Sequence, residues 1–183
     1  FLTVQHPLRH LVVTSCIAQE GKTVVASNLA VSLAQAGRRV VLVDADLRVP
    51  RLHVEFQVDN EHGLSDVLQV EDEEQLERRL SEVIRPTRFE NLLLLTSGPI
   101  PPNPAELLGS PRLDGLMKAL ASADVVIYDT PPMMPVTDAL LLANKTDWTL
   151  LVARVGKIRR DLLAVNVRKL QDVGVNLAGV VLN

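Results

Sequence analysis

HLVVTSCIAQEGKTVVASNLAVSLAQAGRRVVLVDADL, residues 10 to 47, decides the fold. It opens on an apolar, β-rich run, His10 to Thr14, that reads as a buried strand. After a short loop, Thr23 to Ala36 reads as a helix, with Val24, Leu29, Val31 and Leu33 among its apolar positions and Gly37 as its stop signal. Val40 to Val43 is a second strand. Strands that are apolar on both faces and joined through a helix imply a parallel sheet covered on each side.

The same alternation continues outward. Asn91 to Leu95, Val125 to Tyr128, Thr149 to Ala153 and Ala178 to Leu182 are further strand candidates, separated by helical patterns at Leu107 to Ala121 and Arg160 to Val173. Val70 to Val83 reads as a solvated helix whose acidic residues (Glu71 to Glu74) precede its basic ones (Arg78, Arg79), the order that suits a helix dipole. The proline-rich turn from Gly98 leads into Asn103, Pro104, Ala105, Glu106, which predicts an N-cap, a proline at the first helical position and a capping glutamate.

Composition narrows the function classes. The 183 residues suit one domain, 1–183, and 47% apolar with 22% charged content excludes intrinsic disorder. A net charge of −3 gives no general attraction to polyanions, so nucleic acid is not an expected partner. The single cysteine, Cys16, rules out an internal disulfide and a cysteine-built zinc site, and fits a reducing cytosol. No run approaches the roughly 18 to 20 apolar residues that a spanning helix needs. The chain starts at Phe1 without Met and stops at Asn183 after an apolar run, so a piece of a longer protein is expected.

Three strand ends carry chemistry. In TSCIAQEGKT (Thr14 to Thr23), Gly21, Lys22 and Thr23 form the second half of a phosphate-binding loop: backbone N–H groups and the helix N-terminus face phosphates, Lys22 reaches the β/γ oxygens and the Thr23 hydroxyl takes Mg²⁺. The glycine expected five residues before Gly21 is replaced by Cys16. Asp44 and Asp46, in VDADLRVP, can face one site roughly 6 to 7 Å apart, at a solvent-reachable edge where ligands of open α/β sheets bind. Asp129 ends the apolar run Val125 to Tyr128, as a Walker B carboxylate does. The expected fold is therefore α/β, a mostly parallel sheet flanked by helices on both faces in a P-loop NTPase-like three-layer sandwich.

Other residues read more plainly. His6, His10, His53 and His62 show no ligand spacing, Cys16 is a small filler, and Trp148 and Phe56 are packing residues. Arg48 and Arg51 either approach phosphate or a neighbouring subunit, or are surface cations. Tyr128, the only tyrosine, is expected inside the sheet.

Across nearly the whole chain these residues resemble the bacterial tyrosine kinases of capsule and exopolysaccharide synthesis, P-loop ATPases related to the MinD/ParA group. TSCIAQEGKT, VVLVDADLRVPRLH and VVIYDTPP match the family's three nucleotide-site motifs, and GLSDVL (63–68), GPIPPNPAELLGS (98–110) and GVVLN (179–183) also match. The resemblance implies an ATP/ADP site with Mg²⁺, built from Ala18, Gln19, Glu20, Gly21, Lys22, Thr23, Val24 and Asn183, the last against adenine. Thr23, Asp44 and Asp129 would organise the metal, Lys22 the phosphates, and Asp46 the acceptor hydroxyl. It further implies a homo-oligomer, a membrane-anchored polysaccharide co-polymerase or activator segment in cis or trans, and a place at the inner face of the cell membrane. The chain departs from the family at Ala18-Gln19, where Pro-Gly is usual, and has no tyrosine cluster after its last strand. Ile17 stands where the MinD/ParA branch has its signature lysine. That residue weighs against a MinD/ParA-like switch without kinase activity, while Ala18 and Gln19 keep a nucleotide-poor interaction module open.

Overall fold

The computed structural model describes residues 8–134 and 136–183. Phe1 and His6 lie outside the described residues. The first half of the chain folds as β1 (His10–Ser15), α1 (Lys22–Gln35), β2 (Val40–Asp44), α2 (Leu52–Phe56), α3 (Leu64–Leu68), α4 (Glu73–Val83), β3 (Arg85–Pro86) and β4 (Leu92–Leu95). The second half adds α5 (Pro104–Gly109), α6 (Arg112–Ala119), β5 (Val125–Asp129), α7 (Asp138–Ala143), β6 (Trp148–Ala153), α8 (Arg160–Asp172) and β7 (Leu177–Leu182).

The strands form one sheet in the order β3-β4-β2-β5-β1-β6-β7, parallel throughout except for the short edge strand β3. Period-two alternation divides each central strand between two cores. Val41, Val43, Val126 and Tyr128 pack toward α3 to α6, whereas Val40, Leu42, Val125 and Ile127 pack toward α1 and α2. A third cluster under α7 and α8 takes in Cys16, Met133 and Leu151. The six principal predicted strands are present, with ends moved by a residue at most.

In α1 the buried stripe is Ala26, Ala30 and Ala34, four residues apart, whose small side chains let the helix lie close on the sheet. Leu29, Val31 and Leu33 flank that stripe, and Val24 is exposed at 51%. Gly37 ends the helix with φ +82°, its N–H donating to Ala34 O and that of Arg38 to Leu33 O.

Three local readings need correction. The pattern at Leu107 to Ala121 is two helices, not one: Ser110 is extended (ψ 157°) ahead of Pro111, as steric conflict with the proline ring requires. Asn103 is the N-cap of α5, but its amide donates to the Glu106 carboxylate (3.2 Å) instead of accepting from the backbone. The helix expected from Val70 starts at Glu73, because the Asp72 carboxylate accepts Gln75 N–H at 2.8 Å and caps it there.

Candidate active site

Three neighbouring strands in the middle of the sheet deliver the site. β5 lies between β2 and β1, and Asp44 at the end of β2 is in register with Asp129 at the end of β5. The loop from Cys16 to Gly21 leaves the end of β1 and enters α1. Gly21, the N-cap, has φ +88°, and a side chain there would also collide with the amide of Asn183. Only glycine meets both conditions.

Lys22 turns inward. Its Nζ lies 3.0 Å from Asp46 Oδ2 and 3.3 Å from Asp129 Oδ1, and donates to the Thr23 hydroxyl at 3.2 Å. Burial pulls the ammonium down, yet Asp129 and Asp46 outweigh it and hold its pKa above the usual lysine value. Asp129 is fully buried; burial, against the pull of Lys22 and the Thr23 hydroxyl, pushes its carboxyl up to about 6. Its Oδ2 has no hydrogen-bond partner among the described residues.

Asp44 and Asp46 are buried (0% and 4% exposed), not at a solvent-reachable edge. The Asp44 carboxylate accepts the N–H groups of Arg51 (3.1 Å) and Leu52 (2.9 Å) through Oδ2 and that of Asp46 (3.3 Å) through Oδ1. It thereby caps α2 and folds the turn that follows β2. Burial and the charge of Asp129 push its carboxyl up to about 7 despite those donors. Asp46 Oδ1 accepts Arg48 and Val49 N–H, which leaves Oδ2 to Lys22.

Three buried carboxylates against one ammonium leave excess negative charge, and the orphaned Asp129 Oδ2 offers a hard oxygen donor. These residues fit Mg²⁺, which takes one or two carboxylates and completes its shell with phosphate and water. Among the described residues no three acidic, histidine or cysteine side chains form a protein-only metal cage.

A cavity of about 420 Å³ opens over the loop, lined by Ala18, Gln19, Gly21, Lys22, Thr23, Val24 and Asp46, with Arg48, Val49 and the Pro131-Pro132 turn opposite. Glu20 is in the loop but turned inward: its buried carboxylate accepts Ile17 N–H (2.8 Å) and Arg154 N–H (3.1 Å). Asn183 reaches the loop, its amide donating to Glu20 O at 2.9 Å. Cys16 is fully buried, and burial together with Glu20 pushes its thiol up to about 12, so it packs and does not react.

Sequence reasoning missed two partners. Arg48 forms a bidentate pair with the fully buried Asp138 (2.7 and 3.0 Å), tying the turn after β2 to the start of α7. Lys157 donates to loop carbonyls from the turn after β6. Both act across more than 85 residues of chain, and no local pattern marks such pairs. Arg51 contributes its backbone N–H to Asp44, and its exposed side chain borders the cavity.

Residues 11–183 match the CobQ/CobB/MinD/ParA nucleotide binding domain family. The chain is 39% identical to the tyrosine-protein kinase YwqD of Bacillus subtilis over its whole length, covering 75% of that protein. It is 39% identical to the tyrosine-protein kinase etk of Escherichia coli over 94% of its length, but spans only 23% of that larger chain. The solved kinase domain of Escherichia coli ETK superimposes with a TM-score of 0.91 at 38% identity, over 100% of this chain and 70% of that one. With the loop, the paired aspartates and the Walker B carboxylate meeting at one point, the chain belongs to the CobQ/CobB/MinD/ParA nucleotide-binding family and, within it, to the bacterial tyrosine kinases.

Proposed function

We propose that this chain binds ATP with Mg²⁺ and transfers the γ-phosphoryl group to a tyrosine presented by a neighbouring subunit, as the catalytic domain of a kinase controlling capsule or exopolysaccharide synthesis. The observation that carries the reading is Lys22 held between Asp46 and Asp129 beside an unpartnered carboxylate oxygen.

The loop N–H groups and the start of α1 receive the phosphates. Lys22 exchanges its carboxylate partners for β/γ-phosphate oxygens. That exchange frees Asp46 Oδ2 to orient the acceptor hydroxyl and take its proton, while the tyrosine oxygen bonds to the γ-phosphorus and the bond to the β-phosphate oxygen breaks. Thr23 and Asp129 would hold the metal, with Asp44 behind them fixing the turn that carries Asp46. Bound there, Mg²⁺ neutralises charge building on the transferred group. Catalysis then comes from positioning and charge stabilisation, as in other phosphoryl transfers. Asn183 is suited to border the adenine, and Ala18, Gln19, Glu20 and Val24 to complete the cradle.

Tyrosines outside residues 1–183 would be the acceptors, since Tyr128 is buried in the sheet. The partners in this reading are further copies of the chain and a membrane-anchored polysaccharide co-polymerase or activator segment, in cis or trans, which places the domain at the cytoplasmic face of the membrane. No helix among the described residues is long and apolar enough to cross a membrane. Ile17 packs into the third core, where the related ATPase switches would present a lysine, which favours the kinase reading. Titration calorimetry with Mg·ATP and Mg·ADP is expected to give saturable binding that Lys22→Met weakens strongly. No binding by the unaltered protein at millimolar nucleotide would refute the proposal in favour of an interaction module.

A further inference from the structure

Gln19 occupies the left-handed region, φ +62°, in the middle of the nucleotide loop. Glycine takes that conformation freely and a long side chain does not. Something must hold it, and the structure shows what does. Lys157 Nζ donates to Ala18 O (2.8 Å), Gln19 O (3.3 Å) and Gln19 Oε1 (3.3 Å) at once. Gly156, at φ +77°, turns the chain so that Lys157 points back over the loop. The same turn donates Arg154 N–H to the buried Glu20 carboxylate, whose other oxygen accepts Ile17 N–H.

The direction of these bonds matters. In a planar trans peptide the C=O and the next N–H point opposite ways. A cation that gathers the carbonyls of Ala18 and Gln19 on one side therefore turns the N–H groups of Gln19 and Glu20 to the other, where a chain of amides can receive an anion.

We propose that the Arg154–Lys157 turn is a splint for the nucleotide loop, and that Lys157 is a positioning residue that compensates for the missing glycine by holding the Ala18–Gln19 turn in its receptive conformation. This deepens, and rests on, the reading of the loop as a nucleotide site. It makes a specific claim of coupling: Lys157 matters because residue 19 is not glycine.

The test compares the full chain with Lys157→Met, Lys157→Arg, Gln19→Gly and the double variant, by hydrogen exchange of residues 17–21 without nucleotide and by Mg·ADP calorimetry. Lys157→Met is expected to speed exchange in the loop and weaken ADP about fivefold, with an unchanged melting temperature. Lys157→Arg should restore most of the loss. In the Gln19→Gly background the same Lys157→Met change should cost less than about twofold. An equal loss in both backgrounds would show that Lys157 acts through its charge on the nucleotide and overturn the splint. Unchanged loop exchange in Lys157→Met would do so as well. If the unaltered chain binds no ADP, the nucleotide reading fails, while the exchange comparison still decides whether Lys157 holds the loop.

Discussion

Strand β5 has an aspartate at each end, and the two live under opposite rules. Asp124, just before the strand, accepts Arg39 N–H at 2.8 Å and the Arg39 guanidinium at 2.8 Å, with 30% of its side chain exposed. Those hydrogen bonds hold its carboxyl down at about 2. Asp129, five residues on, is fully buried with one oxygen unpartnered and is pushed up to about 6. Asp147, before β6, behaves like Asp124: its carboxylate takes the N–H groups of Arg9 and His10. Acids at the amino end of the sheet are satisfied and fasten strands together. At the carboxyl end Asp44, Asp46 and Asp129 are crowded together and Asp129 is left incompletely paired, a cost that stability alone does not explain and that a cationic ligand would relieve.

The sharpest way to break this contrast is to remove the cation that faces Asp46 and Asp129. Lys22→Met should lower Mg²⁺-dependent turnover about a thousandfold, since phosphates lose their main side-chain cation. A steady-state phosphotransfer assay on a supplied tyrosine-rich peptide reads this, and turnover within tenfold of the parent would erase the functional half of the comparison.

Asp44 stands between the two classes, crowded yet satisfied by backbone donors. Asp44→Ala strands the N–H groups of Arg51 and Leu52 and should cost about 2 to 3 kcal/mol, a fall in Tm of about 5 to 10 °C. Asp124→Ala should move Tm much less, because water replaces the lost partner of Arg39. Thermal melts of the two variants rank them; the reverse ranking would place the structural burden at the wrong end.

Titration sharpens the contrast further. The folded chain holds protons on Asp44 (about 7) and Asp129 (about 6) that the unfolded chain releases near 3.8, so raising pH from about 4 to about 7 costs stability at this end. Asp124 has the opposite sign: its contribution is present above 3.8 and is lost as pH falls toward about 2. Asp44→Asn, which cannot ionise, should therefore gain on the parent by on the order of 1 to 2 kcal/mol between about pH 4.5 and 7.5, read from urea midpoints. Asp124→Asn should gain nothing over that range.

The smallest effect concerns Tyr128, whose hydroxyl meets His10 Nδ1 at 3.1 Å inside the sheet. Tyr128→Phe should cost about 1 kcal/mol and change no phosphate incorporation. Mass spectrometry after incubation with Mg·ATP that found phosphate on Tyr128 in folded protein would mean that β5 leaves the sheet.

Strand and loop identities were legible because short β-branched runs, apolar on both faces, and Gly21-Lys22-Thr23 are local signals. The break at Ser110-Pro111 was also written in the residues, since a proline inside a helical pattern disfavours the helix before it. What could not be read was burial at the site. Asp44 at a strand end looks like an exposed turn acid, and only the fold reveals that Arg51 and Leu52 return to close over it. Pairings such as Arg48 with Asp138 link segments 90 residues apart, where spacing carries no information. The left-handed Gln19 was foreshadowed by the missing glycine, but Lys157 was not.

The strand order carries one more consequence, for how the molecule comes into being. β1 and β2 are joined through α1 yet do not pair, because β5, about 80 residues after β2 in the chain, is inserted between them. A growing chain thus displays Lys22 and Asp44 long before Asp129 exists to stand between their strands. Closing that gap is a long-range event, slow relative to helix formation and exposed to mispairing while it waits. Any chain interrupted before β5 lacks Asp129, so the candidate site is assembled only once the central strand is in place.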